Sequence, residues 1–242
     1  MGFKTLIFVV YITCKIVNIT YYGHSCFKVV AGDKHILFDP FITGNPLANG
    51  KVDIETIEAD YILLSHGHGD HVMDVEAIAQ RTGAKVIAGF EVAEWFRAKG
   101  ASTHPMNPGG EWKFDFGRVK CTAAVHSSSM PDGSYGGNPM GFIVDAAEGK
   151  FYYAGDTALT YDMKLIGEFD VPQFALLPIG SNFTMGVADA IIAAQWAGVK
   201  KVIGLHYDTF GYIVIDHAEA VSKFAAAGIE LTLIEIGNTI EI

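Results

Sequence analysis

Cysteine is scarce in this chain of 242 residues, which contains only three. Cys14, Cys26 and Cys121 form no C-x-x-C pair, and their odd number argues against the disulfide framework of a small secreted protein. Cys26 and Cys121 lie in apolar, strand-like runs, where a thiol packs as a small buried side chain. We therefore expect a reducing location, the cytoplasm.

Positive charge is also scarce. Lys and Arg number 17 against 27 Asp and Glu, which gives a formal net charge of -10. A field of this sign repels polyanions, and the basic residues are scattered along the chain rather than clustered. Nucleic acid is therefore not an expected partner, and a phosphodiesterase directed at RNA or DNA is only an alternative function.

The sequence lacks an apolar run long enough to cross a membrane. The run after Lys4 covers residues 5–14, whereas a transmembrane helix needs about 20 residues. Its charged start is thin, no A-x-A cleavage site follows and Lys15 comes at once, so a cleaved signal peptide is the weaker interpretation. We expect residues 1–15 to form an extra strand or an N-terminal extension of the core fold.

The sequence is rich in hydrophobic residues, which make up 50% of the chain against 18% charged residues. Apolar runs of strand length alternate with runs whose apolar residues recur at helical spacing. No repeat of fixed period, low-complexity segment or linker interrupts the pattern. The pattern predicts an α/β fold in which residues 1–242 form a single domain built from two similar halves.

The densest group of chemically active side chains lies at residues 65–71, Ser-His-Gly-His-Gly-Asp-His. Residues 60–65 resemble a buried strand, and residues 72–79 carry apolar side chains at helical spacing. The group therefore lies in a strand-to-helix turn at the carboxyl end of a strand. Open α/β sheets place their functional sites at such ends.

The spacing within this group suits metal binding. Neutral imidazole is a good ligand for zinc, iron and manganese-class ions, and a carboxylate adds a hard, charged ligand. His66 and His68 flank a glycine, whose backbone freedom lets both rings aim at one point, while Asp70 and His71 face a second point nearby. A solvated, histidine-rich turn is the alternative, but three imidazoles and a carboxylate within six positions predict a metal site.

Three more metal-competent side chains follow predicted strands directly. One such histidine is usually a capping or solvated residue, but three beside a cluster that still needs ligands favour a shared site. They are His126 after strand 119–125, Asp156 after strand 151–154 and His206 after strand 202–205.

The order and spacing of these seven residues resemble the metallo-β-lactamase superfamily. The resemblance implies a four-layer αββα sandwich with the site along one edge of its two sheets. It also implies two divalent ions, the first held by His66, His68 and His126, the second by Asp70, His71 and His206, with Asp156 bridging them.

Further motifs narrow the resemblance to a subgroup of predicted metal-dependent hydrolases. This subgroup is similar to the ascorbate-6-phosphate lactonases and to the phospholipase D that acts on N-acyl-phosphatidylethanolamine. The motifs are residues 22–25 (YGHS), 38–40 (FDP), 126–128 (HSS), 155–157 (GDT), 182–185 (NFTM) and 206–210 (HYDTF).

The resemblance implies a metal-dependent hydrolase of small molecules. Two divalent ions, Zn²⁺ in the first instance with Mn²⁺ or Fe²⁺ as alternatives, could share a hydroxide that attacks an ester, lactone or phosphodiester. Asp70, or water on the ions, would protonate the leaving group. Where the β-lactamases proper have a cysteine, this chain has Asp156, and where the flavodiiron branch has a carboxylate it has His68. A metal-bound scaffold without catalytic activity is the alternative.

Each residue outside the ligand set has two possible roles. Asp39 would orient a ligand histidine, or simply form a turn before Pro40. His24 could approach the pocket or be a core histidine. Polar loop residues could bind a polar substrate group or serve turns: Ser127, Ser128, Asn182 and Thr184. Exposed sheet edges near the N-terminal segment could support a homo-oligomer.

Overall fold

The computed structural model describes residues 17–242. The extension expected at residues 1–15 lies outside this range. Among the described residues, no helix has the length and apolar character to span a bilayer.

Short strands and helices follow one another along the described chain. The strands are β1 (Asn18–Gly23), β2 (Cys26–Ala31), β3 (Lys34–Phe38), β4 (Tyr61–Leu63), β5 (Lys85–Gly89), β6 (Thr103–Met106), β7 (Glu111–Phe114), β8 (Gly117–Ala123), β9 (Met140–Ala146), β10 (Lys150–Tyr153), β11 (Phe174–Pro178), β12 (Lys201–Leu205), β13 (Glu230–Thr232) and β14 (Thr239–Glu241). The helices are α1 (Gly69–Val72), α2 (Val75–Thr82), α3 (Phe90–Ala98), α4 (Met163–Leu165), α5 (Val187–Trp196) and α6 (His217–Ala226). Single 3-10 turns lie at Ile54–Thr56 and Gly211–Ile213, and a π-helical turn at Ile166–Asp170.

The strands form two seven-stranded mixed sheets, ordered β14-β1-β2-β3-β4-β5-β6 and β13-β12-β11-β10-β9-β8-β7. In the first sheet the pairs from β14 to β3 are antiparallel and those from β3 to β6 are parallel. The second sheet repeats this arrangement, antiparallel from β7 to β10 and parallel from β10 to β13.

Alternation along the strands creates three apolar layers. On β10, Phe151 and Tyr153 face the core between the two sheets, whereas Tyr152 packs in the cluster that includes residues of α5 and α6. On β3, Phe38 faces the same inter-sheet core, and Leu37 packs with residues of α2 and α3. Because side chains of a strand point alternately to its two faces, each sheet is covered on both. The predicted αββα sandwich is confirmed.

The helix predicted at residues 72–79 is wrong in one respect, because the structure divides it into α1 and α2. The break falls at Asp74, whose carboxylate accepts hydrogen bonds from the Ile42 and Thr43 backbone N–H groups at 2.6 and 3.0 Å. The Thr43 hydroxyl donates to the same carboxylate at 2.5 Å. These hydrogen bonds anchor the segment between α1 and α2 to the loop after β3, and α1 begins within the histidine-rich stretch.

Four strand ends bring the candidate ligands to one edge of the sandwich. The histidine-rich stretch follows β4 of the first sheet, while His126, Asp156 and His206 follow β8, β10 and β12 of the second. Backbone hydrogen bonds join the sheets at this edge, from Met140 N to Ser65 O at 3.0 Å and from His206 N to His24 O at 2.9 Å. The fold therefore fixes the two sets of ligands relative to each other.

The inter-sheet core predicts a large effect of truncating Phe151, which is 1% exposed and packs against Phe38 and Phe174. Phe151→Ala should lower the free energy of unfolding by about 3–5 kcal/mol in urea denaturation, because a cavity replaces the ring. The matched control is Phe169→Ala, whose ring is 69% exposed and whose loss should change stability by less than about 0.5 kcal/mol. Equal effects of the two substitutions would contradict this account of the core.

Candidate metal centre

The structure brings all seven predicted ligands together, and His24 with them. Potential ligand atoms lie within 4.8 Å of one another in three overlapping groups. The groups are His66, His68 and His126; His66, His71 and Asp156; and His24, Asp70, His71 and His206.

The Asp156 carboxylate lies at the centre of the cluster. Its Oδ2 atom is 2.9 Å from His206 Nε2, 3.2 Å from His71 Nε2 and 3.7 Å from His126 Nε2. Asp156 follows β10 after Gly155, which has a φ of +63°. A Cβ at Gly155 would come within 2.7 Å of the Met140 carbonyl oxygen and 2.9 Å of Ser65 Cβ. Only glycine lets the chain pass this close to both, and so deliver the carboxylate to the joined edge.

Two groups of side chains extend from Asp156 in different directions. In the first, His66 Nε2 lies 2.9 Å from His68 Nδ1, and the ring of His126 is within 5.2 Å of both rings, centroid to centroid. In the second, Asp70 Oδ2 lies 3.9 Å from the Nε2 atoms of both His71 and His206. The geometry therefore offers two neighbouring points at which nitrogen and oxygen ligands converge.

The donor set fits divalent metal ions. Two ligand atoms each ~2.1 Å from one tetrahedral ion lie ~3.4 Å apart, and the distances of 2.9, 3.2 and 3.7 Å around Asp156 Oδ2 are close to this. Asp156 Oδ1 and His71 Nε2 are buried and make no well-formed hydrogen bond. Buried polar atoms are nearly always satisfied, and coordination of an ion would satisfy these two.

Burial and mutual charge set the protonation of the site. Burial lowers the pKa of His68 and His126, and that of His66 well below its ordinary value, so these rings are neutral near pH 7, the form that binds metal. At His71, Asp156 and Asp39 outweigh burial and raise the pKa. The cluster thus favours a positive charge between the carboxylates, which a bound cation would supply.

The two carboxylates of the site are held ionised. Burial alone would raise the pKa of Asp156, but His206 and His71 outweigh it and hold the pKa well below its usual range. Burial also opposes ionisation of Asp70, where the hydrogen bond from His24 and the charge of His71 prevail and lower the pKa. Both side chains are therefore acceptors of cations and of hydrogen bonds.

The Asp39 carboxylate makes hydrogen bonds to several side chains that hold the site in place. Its φ of +40° lies in the left-handed region, and the carboxylate is fully buried. Asp39 Oδ2 is 2.8 Å from His71 Nδ1 and accepts hydrogen bonds from the Ser65 and Tyr153 hydroxyls at 2.5 Å each. Burial, followed by the nearby Asp39, raises the pKa of Tyr153, which keeps its hydroxyl a donor. The carboxylate thereby fixes the orientation of His71.

His24 lies against the second group. Its Nε2 is 3.2 Å from Asp70 Oδ2, its Nδ1 is 2.9 Å from Thr209 Oγ1, and the side chain is almost fully buried. Both contacts are favourable in the tautomer whose Nε2–H donates to Asp70 while the Thr209 hydroxyl donates to Nδ1. The φ of His24 is +56°. The ring is thus placed to hold the Asp70 carboxylate.

Sequence reasoning missed several residues that hold the ligands. Ser65 Oγ lies 2.9 Å from His66 Nδ1 and also donates to Asp39. Tyr153 contacts Asp39, and Thr209 contacts His24. Ser65 directly precedes the first ligand, which is the one local signal for its role. Tyr153 and Thr209 read as ordinary core and loop residues, because only the packing of the two sheets brings them to the site.

The cluster of candidate ligands opens into a cavity of about 760 Å³. Its walls combine candidate ligands with aromatic and small side chains, namely His68, Asp70, His126, Ser127, Asp156, Phe183, His206, Thr209, Phe210, Gly211 and Tyr212. Cavities of this size hold small-molecule ligands.

The polar loop residues fall in different places. Ser127 lines the cavity, with Oγ 3.5 Å from His68 Nε2. Ser128 instead donates to the Gly136 carbonyl at 2.8 Å and accepts from the Gly67 N–H. Asn182 is exposed with a φ of +59°, and Thr184 donates to the Met185 carbonyl. Phe183, between them, is the residue of this loop that lines the cavity.

Known proteins are similar to this chain in sequence and in fold. The family model described as beta-lactamase superfamily domain matches residues 34–207. A UPF0173 metal-dependent hydrolase of Flavobacterium johnsoniae is 54% identical over 225 residues, which cover 93% of this chain and 100% of the relative. A UPF0173 metal-dependent hydrolase of Methylacidiphilum infernorum is 50% identical over 224 residues, or 92% of this chain and 99% of the relative.

A solved structure of a metallo hydrolase is also similar to this chain. Igni18, a metallo hydrolase of the hyperthermophilic archaeon Ignicoccus hospitalis, superposes with a TM-score of 0.86 at 34% identity, over 94% of this chain and 98% of that chain. The narrower resemblance to ascorbate-6-phosphate lactonases stays a prediction. At these levels of identity and coverage, the chain belongs to the beta-lactamase superfamily and, within it, to the UPF0173 metal-dependent hydrolases.

Proposed function

We propose that this protein is a metal-dependent hydrolase that uses two divalent ions to cleave a small ester, lactone or phosphodiester. The observation that carries the proposal is the convergence of seven histidine and aspartate side chains, of which five line an open cavity: His68, Asp70, His126, Asp156 and His206. A metal-bound scaffold would need the ligands but not the cavity of about 760 Å³ beside them.

The proposal assigns the ligands to two ions. His66, His68 and His126 would hold the first, and Asp70, His71 and His206 the second, with Asp156 shared because its Oδ2 faces histidines of both groups. Zn²⁺ is the proposed metal, since neutral imidazoles dominate the donor set. Such a pair of ions supplies a nucleophile at neutral pH and polarises the bond under attack.

The protein's own side chains position these ligands and shape the floor of the cavity. Asp39 orients His71, and Ser65 orients His66 through Nδ1. Asp70 lines the cavity. We propose that it would help to hold the second ion and, because it faces the substrate, would pass a proton to the leaving group.

Two broader proposals concern the location of the protein and its domain organisation. Cys26 and Cys121 are free, buried thiols in the described part of the chain, which supports a reducing, cytoplasmic location. The repeated strand order of the two sheets supports one domain of two similar halves. A homo-oligomer stays a prediction, and the absence of a basic cavity wall disfavours a nuclease.

A substrate panel tests the proposed function. Protein loaded with Zn²⁺ or Mn²⁺ should hydrolyse at least one class among simple lactones, aryl and alkyl esters and phosphodiesters, and a chelator should abolish the activity. Full metal occupancy with no turnover of any class would favour the scaffold instead.

The shared position of Asp156 predicts how metal content responds to substitution. Zinc-loaded wild type should contain about two ions per chain by elemental analysis. Asp156→Ala should retain less than one and lose turnover, whereas His68→Ala should retain about one, because it faces only the first group. His35→Ala is the histidine control, since His35 lies near Glu58 outside the cluster. An Asp156→Ala protein that keeps two ions would contradict the assignment.

The contact between His24 and Asp70 predicts a graded loss of affinity. His24→Ala should weaken binding of the second zinc equivalent by about 10- to 100-fold, as loss of a group that orients a ligand usually does. His24→Gln retains a side-chain N–H and should recover part of the loss. Competition against a chromogenic chelator measures both. Unchanged affinity would exclude the positioning role, and complete loss of the second ion would make His24 a ligand itself.

A further inference from the structure

Three aromatic side chains, Phe183, Phe210 and Tyr212, line the cavity beside the candidate metal ligands. Phe183 is 51% exposed and Tyr212 78% exposed. Their ring centroids are 6.3 Å apart and the rings stand nearly perpendicular, at 83°. Exposed aromatic rings forgo the free energy of burial, so their clustering at the mouth of one cavity points to a bound group that covers them.

Phe183 is presented by a short, closed loop. The Ser181 N–H donates to the Met185 carbonyl at 3.0 Å, and the Met185 N–H donates to the Thr157 carbonyl at 3.0 Å. Ser181 and Asn182 both have positive φ, of 64° and 59°. Met185 is fully buried. The loop is therefore tied to the residue that follows Asp156, and its tip points the Phe183 ring outward.

Tyr212 is presented by a second loop, which follows β12. The Asp208 N–H donates to the Ile213 carbonyl at 2.8 Å, and the Asp208 carboxylate accepts from the Ile215 N–H and contacts His217 Nε2 at 2.6 Å. Ile213 is fully buried. These contacts fix both sides of the turn that carries Tyr212. Tyr212 therefore projects from an anchored segment after β12, as Phe183 does from the loop after the neighbouring β11.

The walls of the cavity carry no fixed positive charge. None of its lining residues, all within the described part of the chain, is a lysine or an arginine. Asp70 and Asp156 lie at the floor, and the whole chain has a formal net charge of -10. An anionic group held away from the ions would lose its hydration without gaining a partner, which is costly.

We infer that the substrate carries an uncharged aromatic or similarly apolar group beside the bond that is cleaved, and that Phe183 and Tyr212 bind this group. The inference deepens the proposed hydrolase function and rests on it. A phosphorylated sugar lactone, whose anionic group lies away from the reacting bond, does not fit walls of this chemistry.

Three acetate esters test the inference by kinetics: phenyl acetate, ethyl acetate and 4-acetoxybenzoate. A para carboxylate does not make the phenolate a poorer leaving group, so slower cleavage of 4-acetoxybenzoate reports on binding. With zinc-loaded protein, kcat/KM for phenyl acetate should exceed that for 4-acetoxybenzoate by about tenfold or more. Phe183→Ala and Tyr212→Ala should each lower kcat/KM for phenyl acetate about tenfold, through KM, and leave ethyl acetate unchanged. Equal losses for all three esters would overturn the inference.

A binding measurement separates this inference from the hydrolase proposal. Saturation-transfer NMR with acetanilide and acetamide on zinc-loaded protein should show binding of acetanilide alone, weakened about tenfold by Phe183→Ala or Tyr212→Ala. If no ester is cleaved but acetanilide binds in this way, the proposed ester chemistry fails and the aromatic site stands. If esters are cleaved but acetanilide does not bind, the hydrolase stands and the aromatic site fails.

Two exposed aromatic residues outside the cavity lining serve as matched controls. Phe169 is 69% exposed and Tyr161 is 70% exposed. Phe169→Ala and Tyr161→Ala should leave acetanilide binding and the kinetics of all three esters unchanged. Losses equal to those of the cavity variants would show that general surface hydrophobicity is responsible, which would contradict the inference.

Discussion

The site depends on the hydrogen bonds that converge on the buried carboxylate of Asp39. Asp39 follows β3, and it binds the Ser65 hydroxyl and backbone N–H, His71 Nδ1 and the Tyr153 hydroxyl. Tyr153 lies on β10 of the second sheet, whereas Ser65 and His71 follow β4 of the first. A buried carboxylate without such donors would be strongly destabilising, so the contacts that satisfy Asp39 also join the sheets where the ligands meet.

This joint explains why the candidate metal ligands and the exposed aromatic rings lie side by side. The segments after β4, β8, β10 and β12 carry the candidate ligands, and the loops that continue from β11 and β12 carry Phe183 and Tyr212. The polar floor and the aromatic wall thus lie at one edge of the sandwich. Sequence variation in the two loops could change the bound group without disturbing the ligands.

The alternation of strands and helices and the strand-end positions of the candidate ligands could be predicted from local patterns, whereas the four-layer sandwich followed from the family resemblance. The apolar alternation of β10 and the histidines after β4 are visible in short windows. Tyr153 and Thr209 could not be assigned, since their contacts join residues more than a hundred positions apart. The break before α2 could not be predicted, because the Asp74 side chain binds the backbone of the loop after β3 and not the first turn of its own helix. The sequence leaves Asn182 and Thr184 open between substrate binding and turn formation. In the structure Asn182 has a positive φ and directly precedes Phe183, which lines the cavity.

We propose that Asp156 would be shared by two ions. Anomalous X-ray scattering at the zinc edge, on crystals of zinc-loaded protein, tests it most directly. The account predicts two peaks about 3.5–4 Å apart, one beside His66, His68 and His126 and the other beside Asp70, His71 and His206, with Asp156 in contact with both. A single peak, or two peaks of which neither contacts Asp156, would contradict it.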